Sequence, residues 1–432
     1  ARRQRQMCIR DRSAGPGQRG LTATSMELLP ALRGLRSLAA VVQTGSSQQA
    51  VGLLHVAQSS ITRAVQRLEA LLGVPLFERG ARGMVATPRG RQLALRATRA
   101  FQFLAEADAH RPRSSGLPWH GSPLVLGVGE RHLRVLQALA QGGSQARAAQ
   151  CLGMSQPAVH QTLLQLEHMA GAPLFVRVRS GLRLDEAGER VLQGARLALA
   201  ELRQAADEWQ TEGAALRGRL VVGTLPFSTT MLLSPAVERV LAQHPGVRIT
   251  IIDGTFDALL TQLRRAEVDC IVGALRSPVP GSDVQQALLF EDQLGVVARG
   301  GHPLAARRRL RWEQLHAAQW VMPMPDTPAE SAFQHMARAA GLPPPVDPVR
   351  TNSALMMQAL LANSDRLALM SPRQVAGELA AGLLVQLPLP VQHARRRIGV
   401  MQRADYLPTP AAAELLQALH AVGRRLREDA VQ

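Results

Sequence analysis

Two stretches of this chain share one pattern: AVGLLHVAQSSITRAVQRLEALLGVPLFER at residues 50–79 and AAQCLGMSQPAVHQTLLQLEHMAGAPLFVR at residues 148–177. The second repeats the first 98 residues later, and from Leu35 to Gly90 the alignment needs no gap and has 19 of 56 positions identical. Self-similarity of this extent indicates a duplicated domain. We therefore predict two copies of one fold, copy 1 at 31–90 and copy 2 at 131–185.

The apolar pattern of copy 1 predicts three helices. A stripe over residues 35–42 stops at Gly45, and Ser46 or Ser47 can cap a second helix. A third helix is predicted from about residue 59 to 72, because apolar residues recur there at i, i+4, i+7 and i+11. Two short helices, a tight turn and a third amphipathic helix make a helix-turn-helix.

A wing is predicted after the third helix. The segment VPLFERGARGMVATP at 74–88 alternates and then turns at glycine, which is typical of a two-stranded hairpin. Copy 2 repeats this segment with Leu174, Phe175, Gly181 and Leu184. Each copy is therefore predicted to be a winged helix-turn-helix.

The outer face of the third helix in copy 1 is polar and cationic. Its side-chain types can bond to base edges or phosphates in a DNA groove, and wing arginines could reach adjacent phosphates or the minor groove. A solvated helix face is the alternative. The predicted DNA-binding residues are Gln58, Ser59, Thr62, Arg63, Gln66, Arg67, Arg79 and Arg82.

Copy 2 has fewer cations on the matching face, because Gln161 and Gln165 stand where copy 1 has Arg63 and Arg67. Each lost phosphate contact weakens binding and its salt dependence. Copy 2 is predicted to be either a weaker, modulating DNA contact or a structural, dimer-building element, and both interpretations stay open. Its candidate residues are Gln156, Pro157, His160, Gln161, Arg177 and Arg179.

The chain carries a formal net charge of +17, and all 50 of its basic residues are arginine. Residues 31–112 hold 11 arginines against 4 acids, whereas residues 113–216 hold 10 against 9 and residues 217–432 hold 23 against 18. The region of copy 1 is therefore strongly basic for its size, as expected of a phosphate-binding module. The absence of lysine excludes a Walker A loop and a pyridoxal phosphate Schiff base.

Cysteine spacing and hydropathy favour a cytoplasmic protein. Cys8, Cys151 and Cys270 fit neither a disulfide framework nor a zinc site. The sequence has no apolar run of 18 residues and no export signal, so we expect no membrane contact. We also expect no resident cofactor and no metal.

Residues 1–25 are rich in Arg, Gln and Gly and lack an apolar period, so we predict that they are disordered. The stretch MCIRDR at 7–12 resembles translated sequencing adapter, which favours a non-native segment and a start at Met26. A basic DNA-binding arm is the alternative for this segment.

Each copy is followed by a predicted linker helix. Thr87 can cap linker helix 1 at 88–110, and Asp185 can cap linker helix 2 at 186–212, where apolar residues recur at spacings of 4, 3, 4, 3 and 4. Such a seam predicts a partner helix, in a second subunit or within the same one. The Pro/Gly/Ser-rich stretch at 111–130 is the expected connector between the copies.

From residue 217 onward, short apolar runs typical of buried strands alternate with helical stretches. This alternation predicts an α/β domain with parallel sheets and right-handed crossovers, in which ligands bind beyond the strand ends near helix N-termini. Hydroxyl, amide and glycine positions after the strands suit a small organic anion, with plain helix capping as the alternative. These candidate effector-binding residues are Thr224, Ser228, Thr229, Gly254, Thr255, Thr327, Asn352, Ser353 and Ser371.

Residues 50–90 and 148–188 both resemble the N-terminal domain of LysR-type transcriptional regulators. The shared elements are Ala-x3-Leu, Leu-Glu, Gly-x-Pro-Leu-Phe-x-Arg and the wing glycine, all at family spacing. Ser59 stands where the family usually has proline, and copy 2 lacks the arginines of the recognition helix. An ordinary family member carries one such domain, so the doubling marks an unusual member.

Residues 217–406 resemble the effector-binding domain of the same family, a periplasmic-binding-protein-like (type 2) pair of α/β subdomains. The resemblance implies subdomain I at about 217–297 and 397–427 and subdomain II at about 298–394. It also implies crossings between them near Val297–Arg299 and His393–Arg396. The run TNSALMMQALLANSDRLALMS at 351–371 is similar to members related to the galactose-binding-protein regulator.

The resemblance implies a multidomain transcription factor: two all-α winged helix-turn-helix domains and an α/β effector domain that a small molecule switches. The implied partners are double-stranded DNA, a small organic effector, RNA polymerase and further copies of the chain, as a dimer or tetramer built through the linker helices. The sequence displays no nucleophile–base set or metal-ligand spacing, so we expect no enzymatic activity. The alternative is a solute-binding or enzymatic α/β protein with accessory helical domains.

Overall fold

The computed structural model describes residues 28–80, 83–109, 118–209, 216–226, 229–315, 318–341, 349–389, 391 and 394–428. The chain divides into two compact units, Ala1–Gln210 and Thr211–Gln432. The expectations for residues 1–25, for residues 111–117 of the connector, and for Arg82 and Ser228 fall outside the described residues.

Copy 1 is a winged helix-turn-helix, as predicted. Its elements are α1 (Leu32–Thr44), α2 (Ser47–Leu54), α3 (Gln58–Leu72), and the antiparallel wing strands β1 (Phe77–Gly80) and β2 (Gly83–Ala86). Gly45 ends α1 with a φ of 75°, and the side chain of Ser46 accepts a hydrogen bond from the backbone N–H of Gln48 at the start of α2. The apolar side chains of α3 that pack under α1 and α2 are Ile61, Ala64, Val65, Leu68 and Leu72.

Linker helix α4 (Pro88–Glu106) begins at Thr87, whose hydroxyl oxygen accepts from the backbone N–H of Gly90. The segment expected as a connector contains a further short helix, α5 (Pro123–Gly127). Just before α5, the buried Trp119 ring packs on Phe101 with centroids 5.2 Å apart. The connector is thus built into the helical core of the first unit.

Copy 2 repeats the architecture of copy 1. Its elements are α6 (Glu130–Gly142), α7 (Gln145–Leu152), α8 (Gln156–Ala170), wing strands β3 (Phe175–Val178) and β4 (Gly181–Leu184), and linker helix α9 (Glu186–Trp209). Gly143 ends α6 with a φ of 65° and Ser144 caps α7, as Gly45 and Ser46 do in copy 1. Asp185 caps α9 through the backbone N–H of Gly188, as predicted.

The repeated Leu-Glu pair fastens the third helix to the wing in both copies. The carboxylate of Glu69 accepts a hydrogen bond from the backbone N–H of Leu76 at 2.8 Å. Glu167 accepts from the backbone N–H of Leu174 at 2.9 Å. These charge-assisted bonds explain why the glutamates are identical in the two copies while the outer helix faces differ.

The first part of the second unit contains β5 (Gly218–Thr224), α10 (Ser234–Gln243), β6 (Val247–Asp253), α11 (Phe256–Arg264), β7 (Cys270–Ala274) and β8 (Val284–Gln293). The middle part contains β9 (Gly295–Arg299), α12 (Trp312–Leu315), β10 (Val321–Met322), α13 (Pro328–Ala339), β11 (Val349–Arg350), α14 (Ala354–Ala362), β12 (Ala368–Met370), α15 (Ala376–Ala380) and β13 (Leu384–Gln386). The chain ends in β14 (Arg395–Arg403) and α16 (Pro410–Glu428).

The sheets of this unit are mixed rather than parallel. In the five-stranded sheet, of order β6-β5-β7-β14-β8, β5 is parallel to β6 and β7, whereas β14 is antiparallel to β7 and β8. In the second subdomain β9 pairs antiparallel with β12 and β13, and β10 is parallel to β11. The expectation of parallel sheets is therefore wrong for the pairs that β14 and β9 make. For β8 and β14 the reason is that β14 enters the sheet at the end where β8 leaves it, so the two strands run in opposite directions.

The chain crosses between the subdomains at Leu294, earlier than the Val297–Arg299 that the resemblance implies. Val296 and Val297 already belong to β9 and pair with β12. The return crossing lies just before β14, where Arg395 is opposite Gln293 of β8. Both crossings therefore lie side by side at one end of the five-stranded sheet.

Gly90 supplies a test of how α4 packs on the wing. An alanine Cβ at Gly90 would lie 2.2 Å from the carbonyl oxygen of Leu76, whereas at Gly52, on the outside of α2, a Cβ meets nothing within 4 Å. We expect Gly90→Ala to cost about 1–3 kcal/mol through overpacking against the backbone. We expect Gly52→Ala to stabilise by up to about 1 kcal/mol, the usual helix preference for alanine over glycine. Urea unfolding of both variants measures the difference, and stabilisation by Gly90→Ala would contradict the packing described here.

Candidate DNA-binding surface and effector cleft

The outer face of α3 is open to solvent. Gln58, Ser59, Thr62, Arg63, Gln66 and Arg67 are all exposed. The Nε of Arg63 donates to the backbone carbonyl of Ser59 at 3.2 Å, which orients the side chain along the helix. On the opposite face Ile61, Val65 and Leu68 are at most 3% exposed, so packing holds the polar face outward.

The wing of copy 1 follows α3 closely in the chain. Arg79 is on β1, within the four-residue hairpin pairing that joins Phe77 to Ala86 and Gly80 to Gly83. The hairpin starts only five residues after α3 ends, and Glu69 ties α3 to the residue before β1. The first wing strand and α3 are therefore parts of one small body.

The corresponding face of copy 2 is also exposed but has other chemistry. Gln156, Pro157, His160, Gln161 and Gln165 are exposed, whereas Thr162 is buried and its hydroxyl donates to the carbonyl of Ala158 at 2.7 Å. His160 and Gln145 lie 3.2 Å apart between ring nitrogen and amide nitrogen. The wing keeps three exposed arginines, Arg177, Arg179 and Arg183.

The linker helices α4 and α9 pack against each other within one chain. The buried seam of α4 includes Leu93, Ala97, Ala100 and Leu104, and that of α9 includes Val191, Ala195, Ala198 and Leu202. Of the two locations that the sequence left open for a partner helix, the structure has the one within the same subunit. Pairing of linker helices between subunits stays a prediction.

A cleft of about 350 Å³ opens in the second unit between the two subdomains. Thr255 and Phe256 at the start of α11 line one wall, and Asp326 and Thr327 at the start of α13 line the other. Asn352, before α14, is a further lining residue. Three of the predicted effector residues, Thr255, Thr327 and Asn352, are thus brought together.

The other predicted effector residues are not among the described lining residues. Thr224 is fully buried at the end of β5 with Gly254 close behind it, and Thr229 begins a π-helical turn before α10. Ser353 caps α14 through the N–H of Met356. Thr255 and Thr327 also cap their helices, so capping and lining coincide at these two positions.

Arg276 is a cleft residue that the sequence prediction missed. Its guanidinium lies 4.3 Å from the centre of the Phe256 ring, and its Nη1 is buried with no hydrogen-bond partner among the described residues. Burial lowers the pKa of Arg276, and the nearby charge of Asp257 opposes that shift. Gln286 holds the Arg276 backbone through bonds of 2.9 and 3.0 Å to its N–H and carbonyl. The feature of the sequence that could have indicated Arg276 was its position two residues after the end of β7.

Ser371 belongs to a buried ion-pair network at the subdomain crossings. Asp292 of β8 accepts from Arg396 of β14 at 2.6 Å and from the hydroxyl of Ser371 at 2.8 Å. Asp292 and Arg396 lie on strands of the first subdomain, and Ser371 follows β12 in the second subdomain. The network therefore links the two subdomains. Arg396 also lines the cleft.

Within the described ranges, no group of three His, Cys, Asp or Glu side chains is placed to hold a metal ion. No helix in those ranges is long and apolar enough to cross a membrane.

Comparisons with known proteins agree with this division. Residues 32–91 and 130–189 each match the bacterial regulatory helix-turn-helix model of the lysR family, and residues 213–424 match the LysR substrate binding domain. The chain is 39% identical over 394 residues to the HTH-type transcriptional regulator GalR of Pseudomonas putida, covering 91% of this chain and 98% of that protein. It is 30% identical over 296 residues to the HTH-type transcriptional regulator PcaQ of Agrobacterium fabrum, covering 68% and 95%. A full-length OxyR variant from Pseudomonas aeruginosa has a similar fold, with a TM-score of 0.50, 22% identity, and coverage of 67% and 97%.

Winged helix-turn-helix domains joined to a two-lobed binding domain define a ligand-responsive DNA-binding protein. The chain belongs to the LysR family of transcriptional regulators. It is a DNA-binding transcriptional regulator with an effector-binding domain, which sets aside the alternative of a solute-binding protein. Regulators of this family bind DNA and act as oligomers.

The buried network at the crossings generates a stability prediction. Asp292→Asn leaves Arg396 buried without its carboxylate, and removal of one member of a buried ion pair costs about 3–5 kcal/mol. The matched control is Asp365→Asn, whose ion pair with Arg299 is partly exposed and is expected to be worth about 0–1 kcal/mol. Urea unfolding of the two variants compares them. Equal losses would show that the buried network adds no more than a surface ion pair.

Proposed function

We propose that α3 of copy 1 is the recognition helix, with its exposed face in the major groove. The residues assigned to DNA are Gln58, Ser59, Thr62, Arg63, Gln66, Arg67, Arg79 and Arg82. The observation that carries this proposal is the exposed polar face of α3 with two arginines, held outward by a fully packed opposite face. Arginine donates two parallel bonds to guanine or a phosphate, and glutamine bonds adenine in the same way.

We further propose that the effector is a small organic anion held in the cleft by Arg276. An arginine stays protonated in proteins, and a carboxylate would satisfy the buried Nη1 that has no partner among the described residues. Thr255 and Thr327 lie at the first turns of α11 and α13, where backbone N–H groups favour negative charge. The Phe256 ring offers an apolar wall beside the cation. Asn352 completes the proposed set, with Ser353 behind it.

The remaining predicted residues are given a positioning role in this proposal. Thr224, Gly254 and Ser371 shape the strand ends and the subdomain crossing around the cleft, as Ser228 and Thr229 would before α10. An effector that bridges α11 and α13 would favour a closed cleft over an open one. Such differential binding is what a ligand needs in order to shift a regulator between two states.

We assign no catalytic activity to the cleft. Its described lining includes no His, Cys or Ser. We place the protein in the cytoplasm because the DNA that it regulates is there.

The DNA proposal predicts unequal effects in the two copies. Arg63→Ala and Arg67→Ala should each cost about 1–3 kcal/mol of binding free energy and lower the salt dependence, because each removes a charged contact in the groove. Gln161→Ala and Gln165→Ala should cost less. Fluorescence anisotropy measures this on a duplex that the wild-type protein selects from a random library.

The control is Arg248→Ala, which removes the same charge from an exposed position on β6. It should leave DNA affinity unchanged. Equal losses in the two copies would overturn the ranking of copy 1 over copy 2. Binding that does not depend on salt would overturn the assignment of α3.

The effector proposal predicts selectivity for negative charge. Small aromatic and aliphatic carboxylates, tested beside their methyl esters, should raise the melting temperature only as the acids. Arg276→Gln should weaken the best ligand at least about 10-fold, since a hydrogen bond to a charged group contributes about 1.5–3 kcal/mol. Arg248→Gln is the matched control. Esters that bind as well as acids, or an unchanged Kd in Arg276→Gln, would refute the anion site.

A further inference from the structure

The packing of α4 on α9 is antiparallel. Along α4, Gln92 contacts Glu208, Arg96 contacts Glu201, and the carbonyl of Phe103 approaches Gly194. Residue numbers therefore rise along one helix while they fall along the other. The first turns of the two helices lie at opposite ends of the pair.

The pair also has an approximate two-fold symmetry that follows from the 98-residue repeat. The repeat makes Arg96 equivalent to Gly194 and Glu201 equivalent to Phe103. The symmetry mate of the contact between Arg96 and Glu201 is thus the contact between Gly194 and Phe103, and both are present. The axis passes near Ala100 and Ala198, which are equivalent and buried.

This symmetry extends only approximately to the helix-turn-helix bodies. A two-fold axis perpendicular to an antiparallel pair keeps surfaces that face along the axis on one side, but α1 packs more extensively on α4 than its equivalent α6 does on α9. From the contact register, the first residues of α4 and α9 are separated by roughly 35 Å along the pair at about 1.5 Å per residue. Each linker helix starts where the wing of its copy ends, so this figure is the separation of the two wing ends along the pair. It is of the same order as the spacing of about 34–36 Å between half-sites one helical turn apart on duplex DNA.

The side chains at the seam select pairing between unlike copies. Arg96 and Glu201 are each 1% exposed, and Arg96 also donates to Gln204 and Glu208, while Arg99 donates to Glu201. A pair of two α9 helices would place Glu201 opposite Gly194 and Leu197, with no cation. Leaving such a charge buried without its partner is strongly unfavourable.

A pair of two α4 helices is also disfavoured. It would put Arg96 in the place of Gly194, where even a Cβ would lie 2.6 Å from the carbonyl oxygen of Phe103. It would also replace Glu201 by Phe103, leaving only Glu106, in the place of Gln204, near Arg96. Gly194 and Glu201, both on α9, therefore complement the backbone and the arginine of α4.

Further contacts hold the two copies as one body. The guanidinium of Arg36 in α1 donates to the carbonyl of Val128 and lies 5.9 Å from the centre of the Phe101 ring. Burial lowers the pKa of Arg36 to about 10, with Arg33 adding to the shift. After α4, the carboxylate of Asp108 accepts from the hydroxyl of Ser122 at 2.5 Å. This bond ties Asp108, two residues after α4, to the residue that caps α5.

We propose that one chain supplies a complete DNA-binding pair and reads two unlike half-sites of one duplex, with α3 on one and α8 on the other. This inference rests on the proposed function of α3. Copy 1 contributes the cationic recognition face, and copy 2 contributes His160 and Gln161 with the wing arginines. The fitting partner is therefore an asymmetric operator whose half-sites lie about one turn apart.

Hydroxyl-radical footprinting of the full chain on the library-selected duplex tests the proposal. Arg63→Ala should lose protection at one half-site only. The triple variant Arg177→Ala, Arg179→Ala, Arg183→Ala should lose protection at the other, and the slope of log affinity against log salt should fall by about 2–3. Arg248→Ala is the control. Inserting 5 base pairs between the half-sites should lower affinity at least about 10-fold, because it turns one half-site to the opposite face.

Three outcomes are separable. If Arg63→Ala removes protection from two identical half-sites and the wing variant changes nothing, only copy 1 reads DNA and this inference fails while the proposed function stands. If Arg63→Ala changes nothing, the proposed function of α3 fails as well. If both variants lose their own half-site, both stand.

A cross-link tests the pairing independently of DNA. In a Cys8→Ser, Cys151→Ser background, which leaves only the buried Cys270, Gln92→Cys combined with Glu208→Cys is treated with a short bismaleimide. The proposal expects a product of single-chain mass that tryptic digestion shows to join α4 to α9. A product mainly of doubled mass would show that these helices pair between chains and would overturn the single-chain pair.

Discussion

The buried antiparallel contact between α4 and α9 determines where the two recognition helices stand. Each linker helix starts from its own wing, with Gly90 and Gly188 against the wing backbone, so the orientation of the helix is passed on to the rigid body that carries α3 or α8. The ion pair between Arg96 and Glu201 then selects the unlike partner. Duplication alone would produce two similar modules, whereas the divergence of these seam residues makes the two modules a specific pair.

Arginine performs three different tasks in this lysine-free chain, and its surroundings decide which. On α3 the guanidinium of Arg63 is exposed and can exchange water for phosphate or base edges. In the seam between α4 and α9, Arg96 is buried among carboxylates of α9, so it favours pairing of α4 with that helix. In the cleft Arg276 is buried over an aromatic ring, with Nη1 lacking a partner among the described residues, which suits an anionic ligand.

Local patterns in the sequence predicted the helix-turn-helix copies well, because caps at Ser46, Thr87 and Asp185 and the apolar spacing depend on near neighbours. Strands β8 and β14 escaped prediction because charged residues interrupt them and only their mutual pairing reveals them. Arg276 escaped because its role depends on burial and on Phe256, which is 20 residues away. The choice of partner for α4 required knowing that Glu201 of the other copy faces Arg96. The duplication predicted two helix-turn-helix domains, but not how they pack against each other.

Hydrogen exchange of the full chain, with and without its selected duplex, tests the central claim most directly. Amide protection reports contact or ordering along the backbone, segment by segment. We expect DNA to protect the first turns of both α3 and α8 and the wing strand β3, while the seam of α4 and α9 exchanges slowly with or without DNA. Protection of α3 with α8 unchanged, or fast exchange across the seam, would contradict the proposal that copy 1 and copy 2 of one chain form a fixed pair of DNA-binding domains.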